Sequence, residues 1–449
     1  MDAVQPRVRV VHRRCAPKTW PCPSCGKRGR RKQTHTRRVR DLAYGEVLVL
    51  EYEVGEYRAR CGCCKTFRAR PAEVEPRAEY TNRVRDAVID RLLDDGMSME
   101  RLRRALHRDF HLDLSDGFLY DCLDWKVRQL DLPAYRRWTL AEFSGTLCID
   151  EIHLGRRTLL LATDPLGDFP VAFALVGAND RDHMRRFLGH LKGWGFAPRV
   201  VVTDGSNLYP ALLAELWPQA AHQLCVFHVL KDINQEILNE VRRLRKRLAC
   251  RDRSRRRGRP RRGRPRGVTA KEKAHFVFKH RHLLVKRPRR LSAREARDLR
   301  QMFEYLPELA TLWRFAGAVY ELFEGKQSAH RAWCLRAALV KYPAYQAYPG
   351  LVAAMAMLEP AKFAKMIAFL HSPVRRRVRT NNHVERANRK LRYDEKVRYK
   401  FRSERSLDRF LRLRLDRLAR PAGSGRPLPG NAASSPKADP SRAPNPGGD

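Results

Sequence analysis

The apolar positions of this chain change period several times, and each change marks a new kind of element. "GEVLVLEYEVGEYRAR" alternates and is rich in Val and Tyr, as hairpin strands are. From Asn82 to Leu130 the period becomes helical. Val84, Val88 and Leu92 share one stripe that Gly96 ends, and Ser98 is placed to cap a second helix carrying Met99, Leu102, Leu106 and Phe110 inward. The break "HLDLSDG" precedes a third helix with Phe118, Cys122 and Trp125 on one face. After "AEFSG", three apolar runs ("TLCIDEIHL", "RTLLLATDP", "FPVAFALVG") read as strands, the last two joined by the turn "DPLGD". An amphipathic helix follows from Asp182 to about Trp194. "PRVVVTDGS" is a continuous apolar run ending in a polar turn, the pattern of a buried parallel strand. "NLYPALLAELW" is a helix, and "AAHQLCVFHVL" a further strand leading into a helix.

Strand, strand, strand, helix, strand, helix, strand is the ribonuclease-H-like order, a mixed sheet with helices on both faces. From Val241 the sheet pattern stops. A basic, low-complexity stretch follows, with two Gly-Arg-Pro units at Gly258–Pro260 and Gly263–Pro265. These read either as a solvated basic linker or as AT-hook-like cores for a narrow minor groove. A helical block runs from about Ser292 to Leu370, opened by the capping box Ser292-x-x-Glu295, with Trp313, Phe315, Tyr320 and Phe323 in its core. The tail after Arg420 is rich in Pro, Gly, Ser and Ala and is expected to be disordered.

Charge changes the picture more than length does. The 449 residues include 92 Lys+Arg against 49 Asp+Glu, a formal net charge of +43 with pI near 10.7. Such an excess suits a polyanion, because each neutralised phosphate releases counterions. No apolar run reaches the roughly 18 residues of a membrane span, so nucleic acid is the expected partner and no membrane is. The expected setting is cytoplasmic, on DNA. Three short helices with a tight turn before the last resemble a helix-turn-helix, with a plain packing unit as the bland alternative.

Eleven cysteines, several of them isolated, argue against a disulfide framework. Two C-x-x-C knuckles, Cys22/Cys25 and Cys61/Cys64, can offer four thiolates to one structural zinc, and strands between knuckles describe a zinc ribbon. Cys63 is a spare thiol, which makes Cys61/Cys63 an alternative pairing.

Two acids stand out by position. Asp150 lies inside an apolar strand and Asp204 ends another. Each has a bland reading: Asp150 on an edge strand with Glu151 inward, Asp204 as a turn former. Together, two carboxylates on neighbouring strands repel unless a cation lies between them, and magnesium takes such oxygen ligands. A two-ion site for phosphodiester displacement needs a third acid. Glu385, in "RTNNHVERANRKLR", can supply it, although Asn382 and Glu385 also have the spacing of a helix capping box. Arg386, Arg389, Lys390 and Arg392 would then line a DNA channel.

At these residues the chain resembles the DDE transposases of bacterial insertion sequences, specifically the ISL-three group. The resemblance spans about Cys22 to Leu415 and rests on the C-x-x-C pair, the "ID" strand, "VVTDGSNLYPAL", "QLCVFHVLKDIN", "LLVKRPRRLSAREARDLRQMFEYLPELATLWRF" and "TNNHVERANRKLR". It implies Asp150, Asp204 and Glu385 as a catalytic triad holding two magnesium or manganese ions, with nicking at element ends followed by strand transfer. It also implies a homo-oligomer on double-stranded DNA. Cys225 and His228 match a C-x-x-H found after the second acid in related transposases, either as site support or as a packed strand-end pair. Two features depart from the group's pattern: "CGCC" replaces a simple knuckle, and the Gly-Arg-Pro tract is an addition. The rival functions are a non-catalytic DNA-binding regulator and a structure-specific nuclease on the same fold.

The expected class is therefore multidomain α/β. A zinc ribbon occupies 1–75 and a helix-turn-helix 78–135. The ribonuclease-H-like sheet begins at 143–240, is interrupted by a basic linker and mostly helical insertion at 241–372, and closes with 373–418, which carries Glu385. A disordered tail fills 419–449.

Overall fold

The computed structural model describes residues 6–250, 268–324, 327–371, 378–397 and 403–419. The Gly-Arg-Pro tract and the tail from residue 420 lie outside the described residues. The chain forms two compact units, Met1–Trp138 with Arg389–Asp449, and Thr139–Asn388.

In the first unit, β1 (Arg7–Cys15), β2 (Thr19–Pro21), β3 (Arg28–Asp41), β4 (Glu46–Arg58) and β5 (Thr66–Arg68) make one mixed sheet. Its order is β1-β4-β3-β2, with β5 also pairing with β4, and β1 runs parallel to β4. Alternation along β4 buries Leu48, Leu50, Tyr52 and Val54. The opposite face meets arginines: Glu51 accepts from Arg38 at 2.6 Å and Glu53 pairs with Arg14 at 3.0 Å. These cross-strand pairs match β4's acids to the basic strands β1 and β3. Three helices follow, α1 (Asn82–Leu93), α2 (Met99–Phe110) and α3 (Asp116–Arg128). Each is capped by a hydroxyl, from Thr81, Ser98 and Ser115 respectively, that accepts a backbone N–H of the first turn. Val84, Val88, Leu92, Leu102, Leu106 and Leu119 form their core, joined by Phe410 and Leu413 of the helix Glu404–Ala419.

After α4 (Leu132–Ala141), the second unit opens with β6 (Thr146–Leu154), β7 (Arg157–Asp164) and β8 (Phe169–Val176). Then come α5 (Arg181–Gly193), β9 (Val200–Thr203), α6 (Tyr209–Leu216), β10 (Ala221–Leu224) and α7 (Val226–Cys250). The sheet order is β10-β9-β6-β7-β8. β6, β7 and β8 are antiparallel neighbours, whereas β9 and β10 run parallel to β6. All four residues of β9 are buried, as its unbroken apolar run requires.

α7 then runs as one helix from the sheet into a helical block: α8 (Ala270–His280), α9 (Ala293–Tyr305), α10 (Leu309–Leu322), α11 (Ala329–Lys341), α12 (Pro343–Gln346), α13 (Pro349–Ala356) and α14 (Pro360–Met366). Ser292 and Glu295 make the reciprocal capping bonds at the start of α9. Ile233, Ile237, Phe315, Phe323 and Phe363 share this block's core. Two buried polar side chains tie the block to its neighbours. Gln223 of β10 donates to Met366 C=O at 2.9 Å and accepts from Phe369 N–H at 2.7 Å, and Glu240 of α7 accepts from Gly350 N–H at 2.9 Å. The chain closes with α15 (Asn382–Val397) and α16 (Glu404–Ala419). No helix among the described residues is long and apolar enough to cross a membrane.

Candidate active site

β6 and β9 pair in parallel with Thr146 opposite Val200 and Cys148 opposite Val202. Carried two residues further, the same register sets Asp150 level with Asp204. β6 is the middle strand of its sheet, so Asp150 does not face solvent from an edge. Asp150 and Glu151 are both half-buried and point to opposite faces. Glu151 is bound by neutral donors, Asn179 Nδ2 at 2.8 Å and Tyr209 Oη at 2.5 Å. Asp150 Oδ2 accepts from Asn388 Nδ2 at 2.8 Å. Burial, reinforced by the charges of Glu151 and Asp204, pushes the Asp150 carboxyl up to about 7.

Asp204 forms the turn expected of it. Its Oδ1 accepts from Ser206 N–H at 2.9 Å, forming the turn after β9. It also lines a cleft of ≈ 220 Å³ that His228 shares. His228 Nε2 lies 3.5 Å from Glu385 Oε1. The Cys225 sulfur, opposed by burial and helped by the charges of Glu385 and Asp204, raises the His228 pKa. Side-chain donor atoms of Cys225, His228 and Glu385 all lie within 4.8 Å of one another.

The structure corrects the helix boundary around Glu385. Asn382 is the first residue of α15, not its cap; the cap position belongs to Asn381, whose C=O accepts from Glu385 N–H at 3.0 Å. Asn382 and Glu385 therefore do not stand in the capping-box relation. Asn381 is fully buried and turns its amide to β6 instead, donating to Ile149 C=O at 2.9 Å, while its own N–H donates to Cys225 Sγ at 3.2 Å. Asn388, one turn beyond Glu385, reaches Asp150. Two asparagines thus hold the start of α15 against β6. Glu385 Oε1 itself is buried with no hydrogen-bond partner among the described residues.

A buried carboxylate oxygen whose one close cation is His228, and two further acids at one register level, are groups that an oxygen-seeking divalent cation would satisfy. Asp150, Asp204 and Glu385 fit magnesium or manganese by the chemistry of their donors.

Arg386 is 59% exposed yet already paired with Asp168, in the turn after β7, which also contacts His383 at 2.6 Å. Arg389, Lys390 and Arg392 are exposed and have no ion-pair partner among the described residues.

At the N-terminal knuckles, the sulfurs of Cys22, Cys25, Cys61 and Cys63 all lie within 4.8 Å of one another, and Cys64 Sγ lies 3.9 Å from Cys22 Sγ. The Cys22–Gly26 turn closes through Gly26 N–H to Cys22 C=O at 2.9 Å, with Gly26 at φ +74°. Backbone N–H groups of Ser24 and Cys25 lower the Cys22 thiol to about 6, which favours the thiolate a metal needs. The donor set fits one zinc.

Sequence reasoning did not single out Asn381, Asn388, Tyr209 or Asp168. Asn388 was within reach of it, being three residues from Glu385 on one helical face. Tyr209 and Asp168 depend on chain packing that no local pattern encodes.

Residues 147–408 match the profile of the DDE transposases of the ISL-three (ISL3) group, described simply as transposase. Among solved structures, a Drosophila P element transposase strand transfer complex aligns with 78% of this chain and 94% of its own, at 13% identity and a TM-score of 0.37. No curated protein sequence matches the chain.

Proposed function

Because the chain belongs to the ISL-three transposase family, we propose that it binds the terminal inverted repeats of its element and catalyses metal-dependent DNA strand cleavage and strand transfer. What supports this is Asp150 and Asp204 at one register level, together with Glu385 lying 3.5 Å from His228, which shares a cleft with Asp204. The sheet order β10-β9-β6-β7-β8, three antiparallel strands followed by two parallel ones, supports a ribonuclease-H-like domain.

Asp150, Asp204 and Glu385 would hold two magnesium or manganese ions. Those ions, when bound, activate the attacking oxygen and stabilise the leaving one in phosphodiester displacement. Asn388 helps fix the Asp150 carboxylate by donating to Oδ2. Tyr209 and Asn179 occupy Glu151, which keeps that second acid from competing. His228, whose pKa is raised first by the Cys225 side chain and then by the charges of Glu385 and Asp204, lies 3.5 Å from Glu385 and shares the Asp204 cleft. Hydrolysis releases a 3′-hydroxyl, which then attacks the target phosphodiester.

For DNA recognition, the helices α1 to α3 are read as a helix-turn-helix, with the knuckle sheet beside them in sequence as a ribbon around one zinc. Arg389, Lys390 and Arg392 are free to meet phosphates, whereas Arg386 must first leave Asp168.

The test is cleavage of a plasmid carrying the inverted repeats that flank the gene, in magnesium, by the parent, Asp204→Asn and Glu385→Gln. Both variants are expected to lose at least 1,000-fold in rate while still binding the repeats, roughly the loss of a major charge-stabilising contact. Cleavage by Asp204→Asn at the parental rate would remove the site assignment.

A further inference from the structure

Asp204 and the turn after it face a cleft whose other walls come from the start of α7 and from the helical block. Val229, Met357 and Met366 give it an apolar floor, and Asp232 and Lys362 stand with Asp204 on its polar side. Lys362 is half-buried and Asp232 exposed, and neither has an ion-pair or hydrogen-bond partner among the described residues. The apolar lining is tied down by buried polar contacts. Gln223 binds the carbonyl of Met366, and Glu240 binds the N–H of Gly350 at the start of α13, the helix whose end carries Met357. A cavity of ≈ 220 Å³ has room for a nucleobase.

We infer that this cleft is a subsite for a single unstacked nucleotide next to the phosphate being cut. It rests on the transposase reading above and adds to it where the flanking nucleotide goes. Met357, Met366 and Val229 take the flat face of the base; thioethers are polarisable and tolerate any of the four. Lys362 meets the phosphate of that nucleotide as a point charge. Asp232 stands at the rim as an acceptor for an exocyclic amino group. Unstacking a base costs a few kcal/mol in a duplex, so the subsite offsets that cost only where the duplex is opened, beside the bond being broken. The helical block thereby supplies a positioning surface that the sheet lacks.

The experiment uses full-length protein and repeat-end duplexes with either a normal or an abasic nucleotide beside the cut. The parent, Lys362→Gln, Lys362→Arg and Met357→Trp are compared for kcat and KM. Lys362→Gln is expected to lose about tenfold in kcat/KM, largely restored by Lys362→Arg. Met357→Trp fills the cleft, and should slow the normal duplex at least tenfold but penalise the abasic duplex several-fold less. Equal penalties on both duplexes, or Lys362→Gln within twofold of the parent, would overturn the subsite while leaving the cleavage assignment intact. A second readout works without cleavage: 2-aminopurine beside the cut, with calcium in place of magnesium, should change fluorescence on binding the parent and not Met357→Trp. If that contrast appears in a protein that cuts nothing, the subsite stands and the reaction falls; if it is absent, the subsite falls.

Discussion

Asp150 concentrates the physics of the site in one residue. Its carboxyl titrates near 7 in the folded chain against an ordinary value of 3.8, because burial and two neighbouring acids disfavour the charged form. The sign follows directly. A raised folded pKa means stability that is fully present below about 4 and is lost as pH rises through about 7, by at most about 4 kcal/mol at 1.36 kcal/mol per pH unit. In magnesium-free buffer, Asp150→Asn keeps an acceptor for Asn388 and should therefore be more stable than the parent at pH 8, with the gap closing near pH 4. Urea midpoints at the two pH values measure this. Equal midpoints at pH 8 would mean that the acid carries no burden there. The sequence located Asp150 but could not say whether it or Glu151 faced the other acids, since period-two alternation does not choose a face. Sheet position chooses it, together with Tyr209 and Asn179 claiming Glu151. At Glu385 the local pattern misled by one residue: Asn382 and Glu385 have the spacing of a capping box, but Asn381 takes the cap position and spends its side chain on β6.

At the scale of elements, anchoring decides what the helix carrying Glu385 can do. Asn381→Ala leaves Ile149 C=O without its buried donor and should cost about 1–3 kcal/mol, read as a fall in denaturation midpoint. A loss of cleavage larger than the stability change predicts would mark the contact as positional. The knuckles make a second element-scale case. Zinc content of the purified protein should be one ion per chain, and Cys22→Ser should remove it. Comparing Cys63→Ser with Cys64→Ser then chooses between the mutually close set and the simple C-x-x-C spacing: whichever variant keeps its zinc identifies the spare thiol. The strands of the second unit were legible because their apolar runs are long and bounded by turns. β1 and β3 were not, since "RVRVVHRRC" and "RGRRKQTHTRRVRD" carry few apolar residues, and their partners Glu51 and Glu53 belong to another strand. No window along the sequence contains both halves of such a pair.

For the molecule as a whole, a net charge of +43 sets how it meets DNA before any base is read. Binding of a duplex without the repeat is expected to weaken steeply with salt, the slope of log K against log salt reporting the phosphates neutralised at about 0.9 per contact. Removing 251–267, which is almost wholly arginine, glycine and proline, should flatten that slope while leaving the preference for the repeat unchanged. If slope and preference fall together, the tract reads sequence and is more than a charge reservoir. Filter binding over 50 to 300 mM salt would show which.

The placement of Glu385 has an evolutionary side. Its address is written by Asn381 on the Ile149 carbonyl and by Asn388 on Asp150, both close to the middle of β6, and not by the length of chain that leads up to it. Apart from the start of α7 with Cys225 and His228 and the residues that line the cleft, the stretch between β10 and α15 is therefore held to no set length by Glu385, so long as the two asparagines still find their partners. The position of Glu385 and the packing of the intervening block are thus set by different contacts. Glu385 can therefore keep its place while loops of the inserted block change length.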